Sequence, residues 1–111
     1  MNLITEDLIQ EITKEIVNKV NPLSIILFGS YAKNNAGVDS DLDFLVIEDK
    51  PFGQVRSRRK EMIMLWHLLK RFRIAKDILI YSIDEVDKWK TSKNHIIARA
   101  INEGKVLYER H

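Results

Sequence analysis

LSIILFGSYAKNNAGVDSDLDFLVIE, residues 23–48, holds two short apolar runs separated by a polar stretch, and reading those runs decides the fold class. The first, Leu23 to Phe28, is interrupted only by Ser24 and stopped by Gly29. It is too short for a free-standing helix and rich in residues that suit a pleated, buried surface, so it is a predicted strand. The second, Asp41 to Glu48, is followed by Pro51 and Gly53, which end it, and is a second predicted strand. Lys33 to Ser40 between them is a polar connection.

Upstream, Thr5 precedes Glu6 and Asp7, and Leu8, Ile9, Ile12, Ile16, Val17 and Val20 recur at helical spacing. A capping hydroxyl, acids in the first turn and an apolar stripe predict a helix that ends near Asn21-Pro22. Downstream, from about Gln54, Val55, Met62, Leu65, Trp66, Leu69 and Phe72 predict a long amphipathic helix, with Trp66 and later Trp89 in core or partly core positions. Lys76 to Tyr81 is a third predicted strand, Asp84 to Lys90 a short helix, His95 to Glu103 another helix ended by Gly104, and Lys105 to Tyr108 a last strand. The order α-β-β-α-β-α-α-β indicates an α/β (α+β) domain built on a small mixed sheet flanked by helices.

The chain has 111 residues, enough for one core, so residues 1–111 are expected to form one domain. No apolar run approaches the roughly 20 residues that span a bilayer, and the N-terminus has no basic leader or small-residue cleavage site. The absence of cysteine removes disulfides, thiolate chemistry and cysteine-ligated zinc, and fits a reducing cytoplasm. The net charge of +2 hides an asymmetry. Residues 50–76 carry nine Lys and Arg against one acid, Glu61, for a balance of +8, leaving −6 for the rest. Such a segment attracts a polyanion or an acidic protein surface, or is simply a solvated helix face.

Asp41 and Asp43 are two apart on one predicted strand and project from the same face. Adjacent carboxylates raise each other's proton affinity unless a cation sits between them, and a hard divalent ion, above all Mg²⁺, fits such a pair. Gly29 and Ser30 end the first strand, where glycine permits close backbone approach and the following turn can aim N–H groups at a phosphate. Gly-Ser, ten residues and Asp-x-Asp at these fixed offsets arise by chance about once per thousand chains of this length. His67, His95 and His111 lack metal-ligand spacing, Tyr31 is a partly packed tyrosine before it is a base-stacking one, and no serine-histidine-acid arrangement or Walker-type lysine is present.

With these residues in place, FGSYAKNNAGVDSDLDFLV resembles the signature of the polymerase-β-like nucleotidyltransferases, in particular their minimal (MNT) branch, and the ending AINEGKVLYER is similar to the family's C-terminus. The resemblance implies that Asp41 and Asp43 hold two Mg²⁺ ions, with Asp77 as a third carboxylate on the attacking side. It implies that Gly29 and Ser30 cradle the phosphates of ATP. Lys33, followed here by Asn34 where relatives often have glycine, either assists the triphosphate or is solvated. It further implies transfer of AMP to a hydroxyl, a tyrosine of a helical HEPN toxin encoded alongside, so that the chain acts as its antitoxin. Transfer to a small molecule or RNA, and a non-catalytic antitoxin that masks its partner, are the alternatives. Self-association is left open, membrane association is not expected, and direct nucleic-acid binding is disfavoured.

Overall fold

The computed structural model describes residues 4–29, 41–93 and 95–110. Helix α1 spans Glu6–Val20. The Thr5 hydroxyl accepts the Leu8 N–H at 3.1 Å, Glu6 and Asp7 sit in the first turn, and Asn21, in the left-handed region at φ 47°, closes the far end through its N–H to Val17 O. Strands β1 (Ser24–Phe28) and β2 (Leu42–Glu48) follow. Helix α2 spans Arg58–Leu69 and β3 spans Lys76–Ser82. Helices α3 (Ile83–Trp89) and α4 (Ile96–Glu103) lead into β4 (Lys105–Glu109). Ser82 and Glu85 form a capping box on α3, and the His95 side chain caps α4 by accepting the Ile97 N–H.

The strands make one sheet in the order β3-β2-β1-β4. β2 pairs antiparallel with β1 and parallel with β3, and β1 pairs antiparallel with β4, so the sheet is mixed as the element order indicates. Strand alternation divides the apolar residues between two cores. Ile25, Leu27, Phe44, Val46 and Ile80 meet Ile9, Ile12 and Ile16 of α1 and Leu65 and Leu69 of α2. Ile26, Phe28, Leu45 and Ile47 meet Val86 of α3 and Ile97 and Ala100 of α4. Helices cover both faces over the central strands, so polar groups of β1 and β2 reach water at the strand ends, while the edge strand β4 stays largely exposed.

Two sequence expectations are corrected here. α2 begins at Arg58 instead of near Gln54, because Ser57 caps it by accepting the Lys60 N–H at 3.2 Å and the Gly53 N–H closes a turn onto Arg56 O at 2.9 Å. Val55 therefore precedes the helix and is fully exposed, and Trp66 stands 63% exposed, outside the core. The helical period does not separate Leu65 from Trp66, since residues one apart lie only about 100° around the axis.

Candidate active site

Asp43 lies one residue inside β2, opposite Phe28 of β1 on one side and Asp77 of β3 on the other. Alternation aims it from the same sheet face as Leu45 and Ile47, so it leaves the α3/α4 side at the strand end. Asp77 is in parallel register with it, on a strand about 4.8 Å away. The Leu42 N–H donates to Ala75 O at 3.0 Å, which ties the start of β2 to the start of β3 and holds Asp41 beside the pair. Asp41 and Asp77 are exposed and Asp43 is half-buried.

Burial first, then the carboxylates of Asp77 and Asp41, hold the Asp43 carboxyl above the usual carboxylate range. No described cation pulls it back down. Lys76, next to Asp77 in sequence, points to the opposite face, where its ammonium donates to Phe72 O at 2.8 Å and Ile74 O at 3.3 Å. Burial there lowers its proton affinity. The three carboxylates thus form a negative cluster that has no counter-ion among the described residues.

Gly29 borders this cluster. Its φ is +80°, a backbone conformation that favours glycine, and a Cβ at this position would run into the Asp43 carboxyl, coming within 3.1 Å of its Cγ. A bare backbone therefore faces Asp43. The donor set fits a hard divalent cation: oxygen ligands only, mutual repulsion to be relieved, and two exposed side chains free to turn. Among the described residues no group of three ligands already stands at metal-holding distance, so these aspartates are neighbours in charge, not a closed cage. Ser30 and Lys33, and with them Tyr31, lie outside the described residues.

The histidines serve elsewhere. His95 caps α4 and stacks on Trp89 with ring centroids 4.7 Å apart, and His67 is exposed with an edge contact to Trp66.

A second carboxylate cluster was not apparent in the sequence. Glu48, at the other end of β2, is only 2% exposed. Arg56 donates to Glu48 and, at 3.0 Å, to Glu61, while its other nitrogen donates to Lys50 O at 2.6 Å. The remaining oxygens, Glu48 Oε2 and Glu61 Oε2, are buried without a donor, a state relieved if one carboxyl keeps a proton and gives it to the other. Burial, then the hydrogen bond and repulsion of Glu61, push Glu48 up to about 8 against the pull of Arg56. An acid closing an apolar strand was the one available signal; its partners are eight and thirteen residues away and meet it only in the fold.

The family model described as polymerase beta, nucleotidyltransferase matches residues 10–111. The chain belongs to this nucleotidyltransferase family. Solved structures of the same fold include a toxin–antitoxin with AMP-PNP, at 18% identity and TM-score 0.56, covering 92% of this chain and 74% of that one. A variant of the toxin–antitoxin MntA-HpeT matches at 18% identity and TM-score 0.60, covering 98% and 76%. A candidate nucleotidyltransferase from Sulfolobus solfataricus matches at 21% identity and TM-score 0.55, covering 94% and 79%. No curated protein matches the chain. The two strand ends differ: the Asp43 end lies in the stretch that resembles the family's signature, and the Glu48 end lies at its far side. Among the described residues no helix is long and apolar enough to cross a membrane.

Proposed function

We propose that the chain is a Mg²⁺-dependent nucleotidyltransferase that moves AMP from ATP to a hydroxyl of a partner protein, a tyrosine of a HEPN-type toxin, and thereby acts as its antitoxin. The observation that carries this reading is Asp43 in register with Asp77, beside Asp41, with no cation among the described residues to offset them. Asp41, Asp43 and Asp77 would hold the metal, which when bound neutralises triphosphate charge and favours ionisation of the acceptor hydroxyl. Gly29 leaves room for a phosphate to approach the backbone, and Ser30 and Lys33 follow it in the signature. The acceptor oxygen attacks the α-phosphorus, the bond to the bridging oxygen breaks, pyrophosphate leaves, and the hydroxyl proton passes to solvent or to a carboxylate beside the acceptor. Catalysis is then positional and electrostatic. An adenine nucleotide is favoured by the AMP-PNP in a structure of the same fold, and a protein acceptor by the toxin–antitoxin assemblies among those structures.

The test is transfer of label from α-phosphate-labelled ATP with Mg²⁺ to the protein encoded beside the chain, with Asp41→Asn and Asp43→Asn in parallel. Label on the partner, lost in both variants, is the expected result. A stable complex that binds ATP without transfer would point to masking. Label found only on RNA or a small molecule would move the acceptor, and absence of nucleotide binding would overturn the catalytic reading.

A further inference from the structure

Trp66, expected in a core or partly core position, lies instead on a coherent outer face. Along α2, Arg59, Ile63, Trp66 and Lys70 succeed one another at intervals of four, three and four residues and fall on one side of the helix, with Lys60 and His67 flanking them. All six are exposed. Ile63 and Trp66 leave 49% and 63% of their surface in water, and together with Val55 they make three of the five large apolar side chains exposed among the described residues.

The charge on this face is uncompensated. Of the basic residues in the segment, Arg56 is engaged by Glu48 and Glu61, Arg58 by Glu85 and Arg71 by Glu15. Arg59, Lys60 and Lys70 form no ion pair among the described residues. The single acid of α2, Glu61, turns to the other side of the helix, toward Arg56. An isoleucine and a tryptophan therefore share a helix face with three cations, none of them paired with an acid among the described residues.

We propose that this face of α2 docks an acidic surface of a partner protein, which seats an apolar side chain against Ile63 and Trp66 and sets carboxylates against Arg59, Lys60 and Lys70. An apolar and aromatic centre with a charged rim is the composition of a protein interface. A phosphate backbone would use the cations but leave Ile63 without a role, and two side chains bury too little to hold a membrane. The position adds a consequence. α2 covers the sheet face bearing Phe44 and Val46, whereas Asp43 leaves from the other, so a partner bound here leaves the carboxylates open to nucleotide. The inference rests on the reading that a second protein is the acceptor, and it separates where that protein is held from where it is modified.

The experiment measures affinity between the chain and the protein encoded beside it for wild type, Trp66→Ala, Ile63→Asp, the pair Lys60→Glu/Lys70→Glu, and Asp43→Asn. Thermal unfolding of each variant checks that it folds, as expected for exposed positions. Each α2 variant should weaken the complex by about ten-fold or more, the charge reversal should flatten its salt dependence, and Asp43→Asn should leave it intact. Equal binding by all variants would overturn the proposal, as would failure of the wild-type chain to bind. Transfer to another acceptor in that last case would show the nucleotidyltransferase reading standing alone. Conversely, a complex lost in the α2 variants but never labelled would sustain the docking face while the transfer reading fails. Anionic vesicles and an RNA oligonucleotide are the remaining arms, and saturable binding to either, lost in the same variants and tighter than to the protein, would replace the occupant proposed here.

Discussion

β2 carries a carboxylate cluster at each end, and the two clusters are resolved by opposite means. At Glu48 the chain supplies its own cation: Arg56 donates to both Glu48 and Glu61, packs its guanidinium 4.4 Å from the centroid of Phe52, and closes the loop that leads into α2. At Asp43 two further carboxylates gather, the nearby Lys76 turns away, and a glycine keeps the backbone side clear. The first arrangement calls for no ligand: the guanidinium and a retained proton together offset its charge. The second gains stability from any cation that enters. A cluster of acids is thus informative about function only once the chain's own counter-ions have been accounted for.

The strongest way to break this contrast is to neutralise one end at a time. Asp43→Asn should lower nucleotide transfer by about 10³-fold, because an electrostatic site loses a central ligand. Its unfolding midpoint should nevertheless hold or rise in metal-free buffer, since repulsion from Asp77 and Asp41 is relieved; a large fall would mean that Asp43 is structural. Arg56→Met should do the reverse. Leaving Glu48 and Glu61 buried without their guanidinium is expected to cost about 2–3 kcal/mol, read as a midpoint lower by roughly 10 °C, while transfer per folded molecule stays near wild type. Gly29→Ala is smaller, about 1–2 kcal/mol, from a strained φ of +80° and contact with the Asp43 carboxyl. It should also reduce transfer, because the new methyl occupies the space beside Asp43. Thermal unfolding and denaturant titration with a parallel transfer assay check all three.

The sequence made one of these ends legible and hid the other for a physical reason. Short apolar runs bounded by Gly29, Pro51 and Gly53 place β1 and β2, and the two-residue spacing of Asp41 and Asp43 reads both onto one strand face, although β2 starts at Leu42 and Asp41 immediately precedes it. Asp77 is named by the family resemblance alone, and its register with Asp43 follows from β2 and β3 being parallel neighbours, which the intervening helix favours because a parallel pair needs a crossover. The Glu48 cluster required knowing that Arg56 folds back over eight residues and that Glu61 turns inward from α2, neither of which any local period encodes. For the same reason Arg56 and Arg58, counted with the segment's free positive charge, are engaged by acids inside the fold. Trp66 escaped the helical stripe because a neighbour at about 100° is in or out according to which face a partner covers. Ser30 and Lys33 fall outside the described residues, so their part in the site rests on the signature.

The mildest perturbation, pH, acts on both ends of β2 with different partners. Glu48 is pushed up to about 8 by burial and by Glu61, so in the folded chain it keeps a proton that it releases near 4.5 when unfolded. The sign follows: below about 4.5 both states hold the proton and this site costs nothing, whereas between there and 8 the folded state binds more protons, so stability falls as pH rises. The slope from this site stays under the one-proton limit of about 1.4 kcal/mol per pH unit, because Glu61 shares the proton and Arg56 opposes its uptake. Chemical denaturation at several pH values from 5 to 8 should show the decline in wild type, and Glu48→Gln, which cannot ionise, should lose most of it. Asp43 is also held above its usual range and contributes in the same direction, but Mg²⁺ should lower its proton affinity and leave Glu48 untouched. A pH slope in wild type that vanished with Mg²⁺ would therefore assign the proton to the Asp43 end. One that survived Mg²⁺ and disappeared in Glu48→Gln would assign it to the buried pair, and with it the division between an end of β2 that the chain neutralises itself and an end left for a ligand.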